Sequence, residues 1–202
     1  SALKSLLAQL RPGLEEGRWS AFVGDDVSGR GPAYIIEAYN HEVAKHKPEL
    51  LFFAGGVAKP IPGQQSDDET RNKLLKQYFE THRTELGKRV LIITDTMDSG
   101  QTVLDAAQIL RGLGITADVA SVGATDLAKY YVKEAAIRSL ELTWYIGREK
   151  ADNNEVLSAP KKSNHLYGVR KEGILPQTLP LEGIDNELVS AVRQELESFG
   201  QD

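Results

Sequence analysis

The run Val90-Leu91-Ile92-Ile93 places four aliphatic residues in a row with no polar position among them. A strand with one wet face alternates apolar and polar side chains, so a run without alternation must be covered on both faces. The interior of a parallel sheet with helices above and below meets that demand. Leu50-Leu51-Phe52-Phe53-Ala54, closed by Gly55-Gly56, reads as a second buried strand, and Ala21-Phe22-Val23-Gly24 as a third. Residues 117–122 and 140–146 read as further strands.

Between these runs the period changes. Ile35, Ile36, Tyr39 and Val43 recur at helical spacing behind Pro32, and Pro48 stops them. Leu74, Leu75, Tyr78 and Phe79 follow the acidic opening Asp67-Asp68-Glu69, whose charges favour a helix N-terminus. Val103, Ala106, Ala107, Ile109 and Leu110 form another helix ended by Gly112 and Gly114, and residues 127–137 a further one. Strands alternating with helices predict an α/β fold: an open, mainly parallel sheet flanked by helices, with right-handed crossovers. From 147 to 183 the pattern weakens into polar and proline-bearing chain with a short strand at 165–169, expected as a small C-terminal hood. Ile184, Leu188, Val192, Leu196 and Phe199 make one apolar stripe, with Asp185 the expected N-cap. The expected division is therefore residues 1–183 as a domain with its hood, and 184–202 as an amphipathic helix packed on it.

Composition narrows the function classes. Across 202 residues, 41% hydrophobic and 26% charged is ordinary globular usage. Lys plus Arg at 24 against Asp plus Glu at 29 gives a net charge of −5, which argues against nucleic acid or an anionic membrane as partner. No apolar stretch is long enough to span a bilayer, and the first residues lack the pattern of a signal peptide. With no cysteine, disulfides, zinc-thiolate sites and thiol catalysis are excluded. The cytoplasm is the expected compartment.

The chemistry lies in Thr94-Asp95-Thr96-Met97-Asp98-Ser99-Gly100-Gln101-Thr102, directly behind the aliphatic run. An acidic residue at a strand's carboxyl end, a small loop and a following helix form the kind of turn that cradles a phosphate. Gly100 lets backbone approach an anion, Ser99 and Thr102 bring hydroxyls, and the helix N-terminus brings free N–H groups. The nucleotide-binding P-loop pattern is absent, since no lysine follows Gly100.

This segment resembles the phosphoribosyl-diphosphate (PRPP) signature of the type I phosphoribosyltransferases, and Asp98 at the head of the loop makes it most similar to the 6-oxopurine branch. The resemblance spans Ala21 to Ile146 and implies a purine-like base as acceptor, PRPP as donor, Mg²⁺ as cofactor, and room for a homodimer. It implies that Thr94, Asp95, Asp98, Ser99, Gly100, Gln101 and Thr102 bind PRPP. Asp95 would contact the ribose, and Asp98 would exchange a proton with the base. The family's usual pattern has a carboxylate where this chain has Thr94. That departure supports a second expectation, a non-catalytic relative that binds PRPP or a nucleotide as a sensor or regulator.

Phe22-Val23-Gly24-Asp25-Asp26-Val27-Ser28-Gly29-Arg30-Gly31-Pro32 is similar to the family's pyrophosphate loop. The resemblance implies that Ser28, Gly29, Arg30 and Gly31 grip the leaving group, with Arg30 as a two-pronged donor and a catalytic residue beside Asp95 and Asp98. Gly55 to Gly63 is similar to the loop that closes over substrate, with Lys59 its cation. Asp25, Asp26 and Asp95 are the expected Mg²⁺ ligands, in a site that keeps most of its waters. The two loop carboxylates would equally repel a pyrophosphate, and both readings stand at this level.

Plainer alternatives accompany each signal. A Ser-Gly loop before a helix is often only a cap, and a loop aspartate often only bonds backbone amides. The histidines His41, His46, His82 and His165 show no metal spacing, His41 and His46 being five apart rather than four. Lys161, Lys162, Arg170 and Lys171 form a basic cluster that reads either as a lid cation set or as solvated chain. Trp144, Tyr145 and Tyr167 are candidates to stack a base, with core packing as the alternative.

Overall fold

The computed structural model describes residues 2–25, 29–53, 68–97, 100–125, 128–149, 169–172 and 175–178. Its elements run α1 (Ala2–Glu15), β1 (Ala21–Asp25), α2 (Arg30–Val43), β2 (Glu49–Phe53), α3 (Asp68–Thr81), α4 (Arg83–Leu86), β3 (Arg89–Met97), α5 (Gln101–Gly112), β4 (Thr116–Ala124), α6 (Ala128–Ile137), β5 (Trp144–Glu149), β6 (Val169–Glu172) and β7 (Leu175–Thr178). The main sheet has five strands in the order β2-β1-β3-β4-β5, every neighbouring pair parallel. The expected open parallel sheet flanked by helices is therefore present.

Side chains alternate across each strand, so the sheet supports two separate cores. Phe22, Leu91, Ile93, Ala120 and Val122 pack against α1 and α2. Val23, Val90, Ile92 and Val119 pack on the other face against Leu75, Phe79 and the apolar stripe of α5. The aliphatic run of β3 thus fills both cores at once, which is why it shows no alternation.

Several boundaries differ from the expectation. Helix α1 is an addition: Leu3, Leu6, Leu7, Leu10 and Leu14 carry the helical period and are all buried. β3 continues past Ile93 to Met97, because β4 pairs with it through Met97↔Ala124 and Thr125 N–H donates to Met97 C=O at 3.1 Å. β5 begins at Trp144 rather than at 140. Leu140 is buried under the end of α6, where its N–H donates to Ala135 C=O at 2.8 Å, and the chain reaches the sheet only afterwards. Of the strand expected at 165–169 only Val169 is described; it opens β6, which is antiparallel to β7, and β7 lies against β2. Residues 150–168 and the terminal helix expected over 184–202 lie outside the described residues.

The amino-end edge of the sheet is held by charge. Asp118, fully buried, accepts from Trp19 Nε1 at 2.8 Å and from Arg89 at 2.8 and 3.0 Å. Such a fork satisfies both carboxylate oxygens, which a buried anion requires. Functional chemistry is expected at the opposite edge.

Candidate functional site

The strand order reverses between β1 and β3, since β2 pairs on the far side of β1 and β4 on the far side of β3. The chain leaving β1 enters α2 on one face, and the chain leaving β3 enters α5 on the other. Connections that part in this way open a crevice at the carboxyl ends of the two strands, the standard ligand position in open α/β sheets. The described residues of the two segments singled out by sequence lie there.

On the β3 side, Thr94 is 3% exposed and falls on the α5 face, whereas Asp95 is half-buried on the α2 face. Asp95 lies within the strand rather than in the loop after it, and its Oδ1 accepts from the Thr96 N–H. Gly100 is buried at φ 59° and ψ −5°, the left-handed region that strains any residue bearing a Cβ. It caps α5 without a side-chain hydrogen bond, so the first N–H groups of a twelve-residue helix face the crevice uncapped by it. Thr102 is half-buried in that first turn. The Gln101 Nε2 donates to Asp105 Oδ1 at 2.6 Å, one turn along the same helix. Asp98 and Ser99 lie outside the described residues.

Asp105 gathers more than Gln101. It accepts from Arg71 of α3 at 2.5 Å and from Arg138, beyond α6, at 3.2 Å, while Arg138 also pairs with Glu134 at 3.1 Å. This charge-balanced set fastens three helices and fixes the start of α5.

On the β1 side, Gly29 N–H donates to Asp25 C=O at 2.8 Å, closing the turn. A Cβ on Gly29 would sit 2.4 Å from the Ile93 carbonyl and 2.6 Å from the Asp25 nitrogen, so only glycine allows this turn to lie against the end of β3. The two segments therefore meet at Gly29 and Ile93. Arg30 opens α2 at 7% exposure, with its guanidinium carbon 4.2 Å from the Phe52 ring centre, and Gly31 is buried beside it. Asp26, Ser28 and Lys59 lie outside the described residues.

Asp25 and Asp95 stand at the carboxyl ends of adjacent strands. Carboxylate oxygens on only one or two residues suit a Mg²⁺ ion that keeps its waters. Among the described residues no three metal-ligating side chains converge.

The aromatic candidates on β5 belong to the core. Tyr145 meets Trp19 edge-on at 5.7 Å and accepts from Arg18 at 2.8 Å through its hydroxyl, and Trp144 packs on the α5-side cluster. Both stand two strands from the crevice, where the core-packing alternative applies, and Tyr167 lies outside the described residues. Among the described residues, Phe52, Tyr34 and Tyr78 group near Arg30, none of them a site candidate from sequence. Tyr78 donates its hydroxyl to the Phe52 carbonyl at 2.8 Å, and burial pushes its pKa above the ordinary tyrosine value. Among the described residues no helix is long and apolar enough to cross a membrane.

No protein-family model matches the chain, and no curated protein matches it. Among solved structures it is similar to "Crystal structure of orotate phosphoribosyltransferase from Aeropyrum pernix", with 19% identity and a TM-score of 0.44 over 73% of this chain and 68% of that one. It is also similar to "Crystal structure of purine phosphoribosyltransferase from Pyrococcus horikoshii Ot3", with 18% identity and a TM-score of 0.36 over 62% of this chain and 76% of that one.

Proposed function

We propose that the crevice between β1 and β3 binds PRPP and that the protein transfers its ribose 5-phosphate to a nitrogenous, purine-like base with release of pyrophosphate. The observation that carries this is Gly100, left-handed and buried, opening α5 at the point where the strand order reverses. Anions bind where free helix N–H groups and the positive end of the helix dipole converge.

In this reading the first turn of α5, with Ser99 and Thr102, holds the 5-phosphate. Asp95 accepts from the ribose hydroxyls. Arg30 steadies the departing pyrophosphate through its planar fork. The bond that breaks joins ribose C1 to the pyrophosphate oxygen, and the bond that forms joins C1 to a ring nitrogen of the base. Asp98 exchanges a proton with that base as the new bond forms. Asp25 and Asp95, with Asp26, are the residues that would hold Mg²⁺, whose chemistry is to neutralise charge on the leaving group. The chain itself contributes positioning and charge stabilisation rather than a covalent intermediate.

A mixture of protein, PRPP, Mg²⁺ and a panel of purine and pyrimidine bases should release pyrophosphate with at least one base. Asp98→Asn should keep PRPP binding and lower turnover by on the order of 10²–10⁴. Absence of release with every base, alongside measurable PRPP binding, rejects the enzymatic reading.

The burial of Thr94 favours a second reading. A neutral hydroxyl at 3% exposure gives the ribose no second carboxylate, as a sensor that binds PRPP or a nucleotide without turnover would. Calorimetric binding of nucleoside monophosphates with no pyrophosphate release selects it.

A further inference from the structure

We infer that Phe52 and Gly24 form a seat for Arg30, which makes Phe52 a positioning residue for the pyrophosphate end of the ligand; this rests on the role proposed above for Arg30. In the parallel pairing of β1 with β2, Gly24 stands beside Phe52. The Phe52 ring lies so close over Gly24 that a Cβ there would meet two ring carbons at 2.5 and 2.7 Å. The same ring carries the Arg30 guanidinium at 4.2 Å, inside the range of a cation–π contact. Tyr34 meets it at 5.6 Å, and the Tyr78 hydroxyl fixes the Phe52 backbone carbonyl at 2.8 Å, so the ring is packed and the strand that carries it is anchored.

Burial separates Phe52 from its neighbour. Phe53 is fully buried and packs on Phe79 at 5.6 Å, whereas Phe52 is half-buried at the crevice end of β2. Stacking engages the face of a guanidinium and leaves its in-plane N–H fork as the hydrogen-bonding edge. An arginine ordered before the ligand arrives also loses less side-chain freedom on binding it.

The test is titration of inorganic pyrophosphate with Mg²⁺ into the wild type, Arg30→Gln, Phe52→Leu, Phe52→Tyr, Gly24→Ala and the double variant Arg30→Gln/Phe52→Leu, each shown to be folded by its urea midpoint. Phe52→Leu should weaken affinity by about 3- to 30-fold. Phe52→Tyr should restore it. Gly24→Ala, which displaces the ring, should match Phe52→Leu, and the Phe52 variants decide alone if Gly24→Ala does not fold. In the double variant the loss should equal that of Arg30→Gln alone, the signature of two groups acting as one. Wild-type affinity in Phe52→Leu, or additive losses in the double variant, overturns the seat and leaves the proposed function standing. A wild type that gives no heat with pyrophosphate refutes the pyrophosphate site itself, and the seat with it.

Discussion

Gln101 gives its side-chain amide to Asp105 at 2.6 Å, one turn further along α5. A side-chain amide held in this way is already engaged within its own helix. Gln101→Ala should therefore change affinity for ribose 5-phosphate by no more than a factor of about two, the scale of a substitution outside the site. Stability should fall by about 0.5–1.5 kcal/mol for the lost hydrogen bond. Calorimetry and urea unfolding on the same variant separate the effects. A tenfold loss of affinity would return Gln101 to the phosphate site.

Asp118 supplies the contrasting case at the opposite edge of the sheet. Its removal in Asp118→Ala leaves the buried Trp19 N–H and the Arg89 fork without their acceptor. Because the Arg89 side chain is 38% exposed, water recovers part of that loss. The expected cost is about 2–4 kcal/mol, read as a lower urea midpoint at unchanged slope. Pyrophosphate affinity should stay at the wild-type value, and a parallel loss of binding would contradict the separation of the two edges.

Tyr78 makes the fold sensitive to alkali. Burial holds its hydroxyl neutral above the ordinary tyrosine pKa. The folded state then keeps a proton that the unfolded chain releases near pH 10, so this contribution is complete below about pH 10 and fades as pH rises through the raised value. Urea midpoints measured from pH 9 to pH 11.5 should fall more steeply for the wild type than for Tyr78→Phe. Equal slopes would show that Tyr78 titrates as an exposed phenol.

Much of this architecture is legible in the residues. The run Val90-Leu91-Ile92-Ile93 demands two covered faces, and Gly100 before a helical stripe marks the loop-to-helix turn that opens α5. The leucines of α1 carry an equally plain helical period, obscured by Pro12 within the helix. Other features depend on which strands become neighbours. The reversal between β1 and β3 follows from pairing order, and no local pattern near Gly29 or Ile93 encodes it. Phe52 reads as strand core because its contact with Arg30 exists only once β2 lies beside β1. Tyr145 stays ambiguous in the sequence for the same reason: alone it is an aromatic at a strand, and only Trp19 and Arg18 place it in the core.

The central claim is that the turn opening α5 holds a phosphate, and one titration tests it directly. Ribose 5-phosphate is added by calorimetry to the wild type and to Gly100→Val, both first shown to unfold cooperatively in urea. A branched side chain at φ 59° strains the turn and blocks the approach of an anion to the first N–H groups of α5. The wild type should give saturable heat and Gly100→Val none. Binding that survives Gly100→Val at the wild-type affinity, or a wild type that gives no heat, would place the phosphate elsewhere and contradict the site.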